Sequence, residues 1–277
     1  MVAIKQSRGL RSFVAGRVRD EARAVASLNH PNIVQIHDLI QLDAEDLLIV
    51  MECLEGVSLA KRLHHTGVSI TDAVRIALDV ASALTRAHEK QLVHSDLKPA
   101  NLFLCKAGGV KLLDFGLAVV YLDQKEVRIG GTPGYMSPEQ MRGEAHWIDG
   151  RTDIWALGVV LYEMLTGKRP FHVKEDFRSV NAGALLKVPT PPRQLNGKVD
   201  EELQRIVLKC LQPLINSRYS SAAELREDLV QWLASEGHRV PDASGVQLDY
   251  PLLPSSNEDS TRIGLRGLQP FTEQDKL

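Results

Sequence analysis

The run His94-Ser95-Asp96-Leu97-Lys98-Pro99-Ala100-Asn101, followed thirteen residues after its Asn by Asp114-Phe115-Gly116, constrains this chain more than any other stretch. Between Asn101 and Asp114 the sequence alternates as a β-hairpin does. Leu102-Phe103-Leu104 forms one arm, Gly108-Gly109 the turn, and residues 110–113 the other arm. Asn101 stands just before the first arm and Asp114 just after the second, so antiparallel pairing returns them to one end of the hairpin. An amide oxygen and a carboxylate held together suit a hard cation such as Mg²⁺, which favours oxygen ligands and keeps several waters. The same short region supplies a second carboxylate, Asp96, and a cation, Lys98.

The hairpin lies inside a chain of 277 residues, long enough for one large domain or two lobes. Its net charge of −2 offers no basic field for nucleic acid. Cys53, Cys105 and Cys210 are odd in number and widely spaced, with no CxxC or Cys/His cluster. Such usage points to reduced thiols in the cytoplasm, not to a disulfide frame or a zinc site. No apolar run has transmembrane length.

Residues 1–51 read as a small lobe. Residues 2–5 start a strand, a helix covers about 12–28 and ends at Asn29-His30-Pro31, and two strands follow near 33–40 and 47–51. Residues 52–56, which end in Gly56, break the pattern as a hinge would. Residues 57–235 read as a mostly helical lobe. Ser69 caps a helix with Asp72 three residues on, and Val74, Ala77, Leu78, Ala81 and Leu84 form its buried stripe. Residues 154–165 are apolar nearly all round, so they predict a central buried helix ended by Gly167. Further helices are expected over about 200–211 and 221–234. Residues 236–277 turn polar and read as a disordered tail or linker. The fold class is therefore α+β and bilobal, with a small β-rich N-lobe that carries one helix and a large helical C-lobe.

Strand alternation puts Ala3 and Lys5 on one face of the first strand. A small residue beside a lysine leaves room for a flat ring with phosphates near the ammonium. Taken alone, Lys5 reads as a surface lysine on an edge strand. Glu21 changes that balance, because Val14, Val18, Glu21, Val25 and Leu28 share one helix face. A carboxylate on a core-facing stripe needs a partner.

Five motifs in order then resemble the eukaryotic-type protein kinases: Val2-Ala3-Ile4-Lys5, the HxDLKxxN run, Asp-Phe-Gly, Ser137-Pro138-Glu139 in place of Ala-Pro-Glu, and Asp153-Ile154-Trp155-Ala156-Leu157-Gly158. The likeness covers roughly residues 2–233. It implies ATP and Mg²⁺ as cofactors and a protein substrate. Asp96 matches the catalytic base, Lys98 the residue that steadies the γ-phosphate, and Asn101 and Asp114 the metal ligands. Lys5 would pair with Glu21. Thr132 matches a residue near the catalytic Asp. Met51 would be the gatekeeper, the backbone of Glu52 and Leu54 would hydrogen-bond adenine, and Ala3 and Phe103 would lie above and below it. Val25, Ile36, His94 and Phe115 would form the packed spine between the lobes. Glu139 would pair with Arg218, and Asp153 would hold the catalytic-loop backbone. Lys98-Pro99-Ala100-Asn101 favours a Ser/Thr substrate, and the run from Gly131 to Gln140 resembles the bacterial branch.

The sequence departs from the family twice. Ser95 replaces the usual Arg before the catalytic Asp, and residues 117–131 contain no Ser or Thr, with Tyr121 their only hydroxyl. Phospho-acceptor and Arg are missing together, so the expectation is activation without Ser/Thr phosphorylation in that window. The chain also begins at Val-Ala-Ile-Lys, with no Gly-rich loop before it, which reads as an N-terminal truncation. The alternative function is a pseudokinase or scaffold that binds a partner without catalysis.

Overall fold

In the computed structural model, the residues described are 1–7, 23–42, 46–114, 121–123, 126–128, 131–171, 188–238 and 268–270. A small sheet has the order β2-β3-β1-β9, from Ile36–Gln41 (β2), Leu47–Glu52 (β3), Val2–Ser7 (β1) and Leu268–Pro270 (β9). All its pairings are antiparallel, with Lys5 opposite Ile49 in β3 and Leu268 in β9. β2 begins three residues later than the apolar run suggests. Ile33 is spent on an isolated bridge to Leu112, and the β2–β3 register shifts between Ile36 and Asp38. Of the helix expected over 12–28, residues 23–26 are described as helical, and Val25 and Leu28 are buried.

Gly56–Ser58 (β4) leads away from that sheet and pairs with Leu102–Cys105 (β5), which pairs with Val110–Leu112 (β6). The hairpin turn is as the sequence suggests, with Gly108 and Gly109 at φ 95° and 76°. At Gly56, φ is 151° and an added Cβ would sit 2.0 Å from the Leu104 carbonyl oxygen, so only glycine lets β4 approach β5 there.

Most of the remaining described residues are helical. Leu59–His65 (α1) is capped by Ser58 and Ile70–Glu89 (α2) by Ser69, whose hydroxyl accepts from the Asp72 N–H at 3.1 Å. All five residues of the stripe expected on α2 are buried, facing Gly150–Thr166 (α4) and Ala222–Ser235 (α7). α4 is enclosed on nearly every side, as its composition requires, and Gly167 ends it at φ 70°. It follows the short helix Pro138–Met141 (α3). Among the described residues, Pro192–Leu195 (α5) and Glu201–Cys210 (α6) complete the helices, with Asp200 and Ser221 capping α6 and α7. Gly158 lets α4 meet α6, since a Cβ there would lie 2.5 Å from that of Cys210.

Tyr121–Asp123 (β7) and Glu126–Arg128 (β8) form a small antiparallel pair within the segment that lacks Ser and Thr. Of residues 236–277, those described are 236–238 and the strand β9, which lies along β1. Periodicity could not reveal that three-residue strand, because its partner lies at the opposite end of the chain.

Candidate active site

Hairpin β5–β6 brings its two ends together. The Leu113 N–H donates to the Asn101 carbonyl at 2.9 Å, which puts Asn101 and Asp114 at one end of the hairpin. Asn101 is buried, and its side-chain amide donates to the Asp96 carbonyl at 2.9 Å. That bond leaves the amide oxygen as the group an incoming cation could use. Asp114 adopts φ 52°, a left-handed conformation uncommon away from glycine, and its carboxylate makes an ion pair with Lys5.

Asp96 lies at the centre of a compact polar cluster. One carboxylate oxygen accepts from Lys98 Nζ at 2.6 Å and the other from the Thr132 hydroxyl at 2.9 Å. Lys98 Nζ also donates to the Thr132 hydroxyl at 2.8 Å. All three groups are partly exposed, so a substrate hydroxyl could reach the carboxylate. Such a carboxylate, fixed by a cation and a hydroxyl, can accept a proton from an incoming alcohol while the lysine offsets negative charge on a transferring phosphoryl group.

The loop beneath the cluster is held from several directions. Asp153, fully buried at the start of α4, accepts from the backbone N–H groups of His94 and Ser95, each at 2.8 Å. His88 Nε2 lies 2.9 Å from the same carboxylate. His94 donates from Nε2 to the Leu113 carbonyl at 2.9 Å, and its Nδ1 accepts from the Asp96 N–H at 3.3 Å, which fixes the neutral tautomer with hydrogen on Nε2. Ser95 has φ 62°, and its carbonyl accepts from the Gln140 side chain at 2.8 Å. Sequence reasoning identified Asp153 but missed His88 and Gln140. The only local sign of Gln140 was its place three residues after Ser137, where it closes a capping box on α3.

Four residues expected around a planar base also come together. Met51 and Phe103 are buried in one small apolar cluster with Val34, Ile49 and Leu113, and Ala3 and Leu54 pack against it. Glu52 is tied down beside them. Its carboxylate accepts from the Gln35 N–H at 2.8 Å and from Lys111 Nζ at 2.6 Å, and its own N–H donates to the Gln35 carbonyl at 3.0 Å. Lys111 is a third residue that sequence reasoning missed. Strand alternation predicts only that it faces away from the β5–β6 core. Of the spine residues, Val25 and His94 are buried and Ile36 packs against both apolar clusters. Glu21 and Phe115 lie outside the described residues.

Below the site, Arg218 grips Glu139 through two parallel hydrogen bonds of 2.8 Å, with both side chains almost wholly buried. Thr152 adds a third bond to the carboxylate at 2.9 Å. Burial works to raise the Glu139 pKa, but the bonds and charge of Arg218 win and hold it below the usual carboxylate range. The pairing expected from the sequence is therefore present, and it anchors α3 to the start of α4.

Residues 1–230 match the family model described as the protein kinase domain. The chain belongs to the protein kinase domain family. It is 37% identical over 253 residues to the serine/threonine-protein kinase PknB of Mycolicibacterium smegmatis, an alignment covering 84% of this chain and 38% of that protein. It is 36% identical over 245 residues to PknB of Mycobacterium tuberculosis, covering 81% and 37%. It is also 39% identical over 232 residues to the tyrosine-protein kinase MasK of Myxococcus xanthus, covering 78% and 35%. The chain thus spans less than two-fifths of the length of these relatives. Kinase-domain membership brings use of ATP and a divalent metal in general, and Asn101 and Asp114 offer that metal the oxygen donors it favours. Among the described residues, no helix is long and apolar enough to cross a membrane.

Proposed function

We propose that this chain transfers the γ-phosphate of Mg-ATP to Ser or Thr hydroxyls of protein substrates in the cytoplasm. The observation that carries this reading is the convergence of Lys98 and Thr132 on the two oxygens of Asp96. Asp96 accepts the substrate hydroxyl proton. Lys98 steadies the phosphoryl group as it moves between oxygens, and Thr132 fixes the carboxylate's orientation. Asn101 and Asp114 hold Mg²⁺, which offsets charge on the phosphates when bound. Lys5, now paired with Asp114, turns to the phosphates, with Glu21 as its partner in the loaded state. Ala3, Met51, Leu54 and Phe103 enclose the adenine. Because the Glu52 N–H is engaged by Gln35, its carbonyl is the group that meets the base, beside the backbone of Leu54. Residues 1–51 and 57–235 act as the two lobes about a hinge at 52–56, followed by a tail from 236.

Lys98 in its loop, together with the printed names of the PknB proteins, supports Ser/Thr over Tyr. The MasK likeness makes acceptor identity worth measuring directly. The test is transfer of labelled γ-phosphate from Mg-ATP to a generic basic protein, followed by phosphoamino-acid analysis, beside Asp96→Asn. Label on Ser and Thr that falls about a hundredfold or more in the variant is expected for loss of a positioned base. ATP binding without transfer would instead identify a pseudokinase, and label on Tyr would overturn the substrate class.

A further inference from the structure

Arg169 stands just beyond Gly167, where α4 ends, and it is exposed. Its guanidinium is nevertheless seated. It lies 5.9 Å from the centroid of the Tyr135 ring. One of its terminal nitrogens fills the place of the side chain that Gly134 lacks, since a Cβ there would be 1.9 Å from it. An aromatic face attracts a cation without neutralising it. Arg142, Arg151, Arg205 and Arg218 each meet a carboxylate. Among the described residues, none pairs with Arg169. Glu163, the carboxylate that shares Tyr135 with it, accepts from the tyrosine hydroxyl at 2.7 Å. Lys168, also exposed, adds a second positive charge next to the seat.

The seat lies beside the path of a protein substrate. Lys98 and the Asn101 amide approach one carboxylate oxygen of Asp96, at 2.6 and 3.5 Å, and Thr132 approaches the other at 2.9 Å. Metal and phosphates belong with Asn101, so the chain that carries the acceptor hydroxyl passes on the Thr132 side. From Thr132 the backbone turns at once. The Tyr135 and Met136 N–H groups both donate to the Thr132 carbonyl, at 2.8 and 3.2 Å. Gly134 lies inside that turn, so the guanidinium is at most roughly 16 Å from the Asp96 carboxylate. An extended substrate crosses that distance in about five residues.

We propose that Arg169, seated by Gly134 and Tyr135, is a specificity-determining residue that receives an anionic side chain of the substrate within about five positions of the acceptor. Asp, Glu or a phosphorylated residue supplies that anion. The assignment to a substrate rests on the kinase reading of the site, whereas the capture of an anionic peptide does not. A guanidinium offers a planar fork of donors that matches carboxylate and phosphate oxygens. Resting on the ring, the fork is already oriented, so less freedom is lost when the anion arrives. Gly134 has no left-handed backbone to protect, and its missing side chain is what gives the fork its place.

The test uses the full chain and otherwise neutral peptides with a single Ser acceptor, in which Asp, phosphoserine or Lys replaces Ala at each nearby position in turn. The quantity read is the ratio of kcat/KM for the charged peptide to that for its Ala parent. Asp at the best position is expected to gain about fivefold at low salt, what one partly exposed ion pair supplies. The gain should shrink as salt is raised. Arg169→Gln should abolish it, and Arg169→Glu should transfer the preference to Lys at the same position. Gly134→Ala should reduce it, because the new Cβ evicts the guanidinium while the charge stays in the chain. Arg193→Gln, a change at another exposed arginine, should keep it. No anion preference in the unaltered chain, or one that survives Arg169→Gln, would overturn the proposal. A larger gain with phosphoserine than with Asp would assign the anion to a phosphorylated residue, and the reverse to a carboxylate. Absence of transfer to every peptide would refute the kinase reading instead. Fluorescence anisotropy of the same peptides on the unaltered chain and on Arg169→Glu would then still decide whether Arg169 receives the anion.

Discussion

Replacing Arg218 by Met tests how the active-site platform is anchored. The guanidinium donates to both oxygens of Glu139 at 2.8 Å and to the carbonyls of Gln212, Arg151 and Pro213 at 2.9, 3.1 and 3.3 Å. It also lies over the Trp155 ring, 5.0 Å from its centroid. Met roughly fills the stem but leaves a buried carboxylate without its charged partner. Breaking one side of a buried pair costs about 3–5 kcal/mol, against a total of about 5–15 kcal/mol for a typical domain. Urea denaturation followed by tryptophan fluorescence should therefore show the midpoint fall by about a fifth or more with little change in slope. The double change Arg218→Met with Glu139→Met should recover part of the loss, because the stranded charge is gone. Acid should reverse the single defect in part, since burial without Arg218 favours the protonated Glu139. A loss below about 1 kcal/mol in Arg218→Met, or a double variant that costs the sum of the two singles, would refute the reasoning.

Three further outcomes follow from other parts of the molecule. Glu139, Asp149 and Asp228 all have pKa values held below their ordinary 4.5, 3.8 and 3.8 in the folded state. Burial opposes this in each, and neighbouring arginine or tyrosine bonds outweigh it. The unfolded chain thus binds protons first on acidification, so stability should be full above those ordinary values and fall as pH drops below about 4.5, measured as urea midpoints across pH. Gly158→Ala should destabilise by about 1–3 kcal/mol through overpacking between α4 and α6, with a flat result refuting the close approach to Cys210. Lys111→Ala should leave thermal unfolding within about 2 °C, as expected for a partly exposed ion pair. Nucleotide affinity should nonetheless weaken about threefold as Glu52 loses one of its two anchors, a split that calorimetry and a melting curve would read directly.

Local physics made much of this protein legible. The cap at Ser69, the stripe on α2, the all-round apolar α4 and the Gly108-Gly109 turn are each governed by residues within a few positions of one another. The hairpin arithmetic that returns Asn101 and Asp114 to one end is of the same kind, and it located the heart of the candidate site. Family motifs extended the reading to Asp153 and to the Glu139–Arg218 pair. Contacts that join distant residues left no such local trace. His88 against Asp153, Gln140 beneath Ser95, Lys111 on Glu52, Lys5 on Asp114 and β9 along β1 all depend on where whole elements pack. Periodicity states which face of an element is buried, but only the packed structure decides which partner that face meets.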